Sequence, residues 1–110
     1  MAGNVETSAT SSSIRGTMDT AGSTSAITVR GSRLLDISID CDTNSFVGTV
    51  TLERETYTGA ANVNEWQAVE AYTASTEKVA QSATTRRYRL TVAAGPSGTL
   101  EYELTAGNFV

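Results

Sequence analysis

From residue 14 onward, apolar and polar side chains alternate position by position along much of the chain. Leu35, Ile37 and Ile39 alternate with Asp36, Ser38 and Asp40. Phe46, Gly48, Val50 and Leu52 share one face, and Val47, Thr49, Thr51 and Glu53 share the other. Tyr88, Leu90 and Val92 alternate with Arg87, Arg89 and Thr91, and Leu100, Tyr102 and Leu104 alternate with Glu101, Glu103 and Thr105. A period of two sends successive side chains to opposite faces, so each run predicts a strand with one buried face. Shorter candidates are 12–18, 24–30, 65–72 and 77–82. Together they predict about eight strands at roughly 8–14-residue spacing, as in all-β sandwiches and barrels. The expected fold is an antiparallel β-sandwich over residues 14–110.

The punctuation between the runs agrees. Asp19-Thr-Ala-Gly22, Arg30-Gly-Ser-Arg33 and the stretch 40–45 are rich in residues that turn the chain. The segment 74–84 lacks an apolar stripe and reads as loop and short strand. Gly95-Pro96-Ser97-Gly98 suits a type I turn with a left-handed glycine, which predicts a hairpin pairing Val92 with Tyr102 and Leu90 with Leu104. Arg89 then lies diagonal to Glu103.

Residues 1–13 break the pattern. They read Met-Ala-Gly-Asn-Val-Glu-Thr-Ser-Ala-Thr-Ser-Ser-Ser, where Val5 is the one anchor after Met1. Such composition predicts a flexible extended arm that becomes ordered by lying along a neighbouring chain, together with an edge strand. Val5, Thr7, Thr10 and Ser12 are the arm's candidate interface residues, since hydroxyls can bond backbone groups across an edge.

Composition then narrows the function. The chain has 110 residues, with 18 Thr, 12 Ser, no His, one Cys, one Pro and one Trp. Without histidine there is no Ser–His–Asp triad, no Cys–His dyad and no usual zinc set. Cys41 alone cannot close an internal disulfide. No apolar run approaches the ~18 residues that cross a bilayer, and the first residues lack the pattern of a secretory signal. The net charge of −4 lacks the basic stripe a nucleic-acid surface needs. Few large apolar residues imply a modest private core, which an assembly partner would supplement.

Asp40-x-Asp42-x-Asn44 starts like a calcium loop, but Ser45 and Thr51 occupy the positions that require Gly and Glu, so a solvated turn is expected. Glu53 with Glu55, and Glu101 with Glu103, are period-two acids of the kind that solubilise a strand face. Arg86, Arg87 and Arg89 form the densest basic cluster. Arg87 and Arg89 point one way, and Arg86 points inward or to a rim, which makes it a further interface candidate. Trp66 reads as a core anchor, with a sugar-stacking platform of Trp66, Tyr57 and Tyr72 as the competing reading. No phosphate-cradling loop or metal set is present, so no catalytic residue, cofactor or metal is expected.

The stretch Phe46-Val-Gly-Thr-Val-Thr-Leu-Glu-Arg54, followed by Trp66, Tyr72-Thr73, Tyr88-Arg-Leu90 and Ser97-Gly-Thr-Leu100, resembles small virion structural proteins of tailed bacteriophages. The resemblance covers about residues 46–104. Thr56 to Asn64 forms a longer loop where those proteins often carry an Asp-Gly-Gly turn. The resemblance implies a non-enzymatic, many-copy β-sandwich bound to other virion proteins, as capsid decoration or cement or near the head–tail junction. Its expected partners are virion subunits and its own copies, and its expected location is the virion. The competing class is a carbohydrate-binding β-sandwich for host recognition.

Overall fold

The computed structural model describes residues 4–10, 12–58, 63–82 and 84–107. Those residues contain no helix. They form β1 (Val5–Ala9), β2 (Ser13–Met18), β3 (Gly22–Ser23), β4 (Ile27–Val29), β5 (Leu34–Asp40), β6 (Val50–Thr58), β7 (Val63–Tyr72), β8 (Thr76–Gln81), β9 (Arg86–Val92) and β10 (Leu100–Gly107). All pairings are antiparallel. One five-stranded sheet runs β1-β2-β10-β5-β8. The other runs β3-β9-β6-β7, with β4 also on β9.

The alternation read from the sequence sets what each sheet buries. Ile14, Leu35, Ile37, Ile39, Leu100 and Leu104 from the first sheet join Val50, Leu52, Leu90 and Val92 from the second in one hydrophobic core. Leu104 is central: β10 is hydrogen-bonded to β2 on one side and β5 on the other, and Leu104 faces Ile14 and Ile37 across those ladders. The strand count exceeds eight because β1 lies in the expected arm and the candidate 24–30 becomes β4, with β3 just ahead of it.

The structure differs from a pendant arm. The described part of residues 1–13 is extended, but it lies along its own body. Val5 pairs with Thr17, Glu6 with Gly16 and Ala9 with Ile14. The Asn4 side chain accepts from the amides of Asp19 (2.9 Å) and Thr20 (3.2 Å). Glu6 accepts from the Ser25 amide (2.8 Å) and hydroxyl (2.7 Å), tying β1 to the segment before β4. The physical reason is that an open ladder on β2 can be filled by backbone hydrogen bonds plus short polar side chains, with almost no apolar burial. Gly16 makes the approach possible, because a Cβ there would stand 2.1 Å from the Val5 carbonyl oxygen and 2.9 Å from the Tyr102 hydroxyl.

The expected last hairpin is also replaced. β9 and β10 belong to different sheets, so Leu90 and Leu104 meet through the core rather than along a ladder. The loop 93–99 carries the chain across. It pairs with the loop before β6, through Val47 with Ser97 (2.8 and 2.9 Å) and the Thr99 amide on the Asn44 carbonyl (3.2 Å). Turn chemistry fixed the local backbone, but matching apolar parity is met equally well by strands that face each other and by strands that pair.

On the side where β7 and β8 lie, Glu70 accepts from Lys78 and from the Tyr72 hydroxyl (2.9 Å). Burial, then the Glu70 hydrogen bond, pushes the Tyr72 phenol well above its ordinary range. Burial, then the Glu6 charge, pushes Tyr102 up to about 12. Both shifts favour the neutral phenol in the fold. Their contribution is therefore complete below the ordinary tyrosine value of 10.0 and is lost as pH rises through the folded values. Urea midpoints measured from pH 9 to 12 are expected to fall from about pH 10 upward, and Tyr102→Phe should flatten that decline. An equal slope in the variant would contradict this origin.

Candidate interaction face

The face of the second sheet turned away from the core carries an unusual group of side chains. β9 presents Arg87, Arg89 and Thr91, and β6 presents Glu53 and Glu55 beside them. Glu53 pairs with Arg89 in register, and its Oε1 accepts from the Arg89 Nε (2.7 Å) and the Thr91 hydroxyl (2.7 Å). The Thr91 hydroxyl also meets that of Ser23 (2.9 Å). Glu55 accepts from the Arg87 guanidinium at 3.2 and 3.5 Å. Glu55 is in turn paired with Trp66 on β7. The Arg89 guanidinium lies 4.3 Å from the centre of the Trp66 ring, and that of Arg87 lies 5.9 Å from it. Arginine so placed is attracted by the ring's negative face, typically by about 0.5–2 kcal/mol.

The expectation that Trp66 anchors the core is corrected here. Trp66 is half-buried and stands on the outer face, while Tyr72, six positions on, is in the core. In a regular strand the two would share a face. The pairing of β6 with β7 slips by one residue where Leu52 faces Glu70 and Glu53 faces Ala68. Val69 is the extra residue of a β-bulge, and one extra residue inverts the parity of everything beyond it.

The bulge also separates the proposed aromatic platform. Tyr72 is turned inward, the side chain of Tyr57 lies outside the described residues, and Trp66 carries guanidinium groups over its ring. Thr24, Ser25, Ala26, Glu55, Trp66, Arg87 and Arg89 line a shallow depression on this face. Its lining is charged and aromatic, and both of the carboxylates on this face, Glu53 and Glu55, are engaged by an arginine. Glu53 and Arg89 are mostly buried, at 18% and 25% side-chain exposure, so removing one leaves the other incompletely satisfied. Arg89→Ala should lower unfolding free energy by roughly 1–3 kcal/mol and shift Trp66 emission, whereas Arg87→Ala, at an exposed pair, should cost under about 1 kcal/mol. Equal losses would contradict the arrangement.

The other expected site residues are dispersed. Val5 is exposed on β1, and the Thr7 hydroxyl donates to the Arg15 carbonyl (3.0 Å). Thr10 accepts from the amides of Ser12 (3.3 Å) and Ser13 (3.0 Å), closing its own turn, and the Ser12 carbonyl accepts from Ala106 (2.7 Å). Arg86 is at the rim, with its Nε buried and unpartnered. Asp40 closes a turn by accepting from the amides of Asp42 (2.9 Å) and Thr43 (3.1 Å), and bonds from Thr43 hold its carboxyl below the usual range. Asn44 donates to Glu101 (2.7 Å), so these side chains serve the fold. Among the described residues no group of three or more His, Cys, Asp or Glu side chains could hold a metal ion. No helix there is long and apolar enough to cross a membrane.

The ion-pair ladder was legible in halves. The period-two reading put Glu53 with Glu55 and Arg87 with Arg89, but it gave no pairing between β6 and β9. Comparison with family models, with curated proteins and with solved structures returns no match.

Proposed function

We propose that this chain is a non-enzymatic structural protein of a tailed-phage virion, a β-sandwich that holds neighbouring virion proteins by contact through the Trp66 face. The observation that carries the contact reading is the placement of the sole tryptophan outside the core, gripped by Arg87 and Arg89. Trp and Arg are the residue types that dominate binding energy at protein interfaces. The strand and turn motifs over 46–104 supply the virion part of the reading.

The sheet margins support a face over an edge. β7 is broken by the Val69 bulge, and β1 by a register shift between Glu6 and Ser8. β8 carries Lys78 on its inward-facing side, opposite Ile37, and the remaining margin is divided into the short β3 and β4. Bulges, inward charges and short pieces are the devices that discourage strand-to-strand addition. Decoration, cement and head–tail positions are all compatible with such a face.

The test is composition. Particles purified on a gradient from a producing lysate should contain the chain in many copies, and Trp66→Ser should fold yet be lost from them. Particles that lack the chain, or that take up the variant equally, overturn the proposal. A sugar-binding module would instead show Trp66 emission responding to oligosaccharide.

A further inference from the structure

β1 owes little of its attachment to burial. Four of its five residues are exposed, and none belongs to the hydrophobic core. Polar bonds hold it instead. They are the ladder to β2, the Asn4 side chain on the amides of Asp19 and Thr20, the Glu6 carboxylate on Ser25 and the Thr7 hydroxyl on the Arg15 carbonyl. All of those partners lie between Ser13 and Ser25. Lifting β1 away therefore takes no residue out of the core, and elements of that kind open at low cost. The register of β1 is also loosely specified. A strand that is polar on both faces has no apolar set to misplace, and β1 already slips between Glu6 and Ser8. Such strands are prone to exchange between copies.

The connection to β2 closes poorly. It reads Thr10-Ser-Ser-Ser13. The Thr10 amide donates to the Ser13 carbonyl (2.7 Å), but the Ser13 amide donates to the Thr10 hydroxyl (3.0 Å). A side chain thus stands where the second main-chain bond of a tight hairpin would be. Tight two-residue turns need left-handed backbone, which Asn-Gly, Asp-Gly or paired glycines supply, and this run has none of them. A short hinge of this kind favours swapping of the terminal element it carries.

We infer that two copies of this chain exchange β1. The run 10–13 opens so that β1 and β2 become one continuous strand, and each β1 takes the place on the other copy's β2 that the native β1 has left. The exchanged strand meets the same ladder, the same two amides for Asn4 and the same serine for Glu6, so the bonds of the closed chain are remade and the assembly closes at two copies. The outer edge of β1 is unchanged, so the margins still resist strand addition. The closed connection holds β1 near its own β2 at an effective concentration on the order of 1 mM, so exchange belongs to crowded copies. It is a property of the purified chain and does not depend on the virion reading.

Cysteine trapping tests the exchange. Val5 and Thr17 face each other in the β1–β2 ladder, and facing positions of an antiparallel pair are within disulfide reach. One chain carries Val5→Cys and another Thr17→Cys, while Cys41 is buried and stays out of the oxidation. The two are mixed, refolded together from urea and oxidised. A disulfide-linked heterodimer should form about tenfold more at ~1 mM than at ~10 μM, and well beyond the homodimer from either chain alone. Deleting residues 10–12 leaves a link too short to fold Ala9 back onto Ile14, so that variant should sediment as a dimer at micromolar concentration, where the wild type is a monomer. Ser11→Asn with Ser12→Gly supplies the missing turn pair and should lower the trapped heterodimer about tenfold. This second variant decides the matter should the deletion fail to fold. Three results would each overturn the proposal: no more heterodimer than homodimer at the higher concentration, a folded deletion variant that stays monomeric, or an Asn-Gly chain that exchanges as readily as the wild type.

Discussion

Gly98→Ala is expected to lower the melting temperature by roughly 10–20 °C, corresponding to a loss of roughly 3 kcal/mol. Gly98 has φ of 72°, in the left-handed region. A Cβ there would stand 2.2 Å from the Ser45 carbonyl oxygen, 2.6 Å from its carbon and 2.7 Å from the Asn44 oxygen. Left-handed backbone alone costs alanine about 1–2 kcal/mol, and the remainder is the displacement of one loop from the other. These two loops carry the chain between sheets, so their separation also strains the Val47–Ser97 bridge. Gly95 is the internal control. Its φ is 82°, but nothing stands within 4 Å of a Cβ there. Gly95→Ala should therefore cost about 1 kcal/mol, the conformational part alone. Thermal melts followed by circular dichroism compare the two, and equal losses would show that close packing of the crossing loops is not what Gly98 serves.

Leu104→Ala should cost roughly 2–5 kcal/mol, because it removes a buried branched side chain and leaves a cavity. Leu104 is fully buried at 0% exposure, on the strand that joins β2 to β5. Ladders on both sides fix its backbone, so the site has little freedom to collapse around the missing methyl groups. Val79, on the margin strand β8, is 62% exposed, and Val79→Ala should change stability by less than about 0.5 kcal/mol. Urea unfolding of both variants measures the difference. A small loss for Leu104→Ala would mean that the core is loosely packed at its centre.

Much of this core was legible as period two. The runs ending at Ile39, Val92 and Leu104 are strands whose alternate residues are buried, because a half-buried strand must separate its apolar and polar residues, while of the run from Phe46 only the part from Val50 onward is strand and 46–49 belong to the loop before β6. What escaped the sequence has physical causes at particular residues. β1 carries no apolar stripe, and its docking depends on a backbone ladder and on the side chains of Asn4, Glu6 and Thr7, which composition reads as solubility. Trp66 was misplaced because one bulged residue, Val69, inverts the face, and no local pattern marks the bulge. The salt-bridge ladder needed knowledge of which strands are neighbours, a property of the whole topology. The same ignorance turned the loop after β9 into a hairpin, although Gly98 was correctly read as left-handed.

Oxidative footprinting of Trp66 by mass spectrometry, on the free chain and on gradient-purified particles, probes the contact face directly. Trp66 should react in the free chain and be protected in the particle, while Val79 on the other sheet should change little. Trp66 reacting equally in both states would contradict that contact.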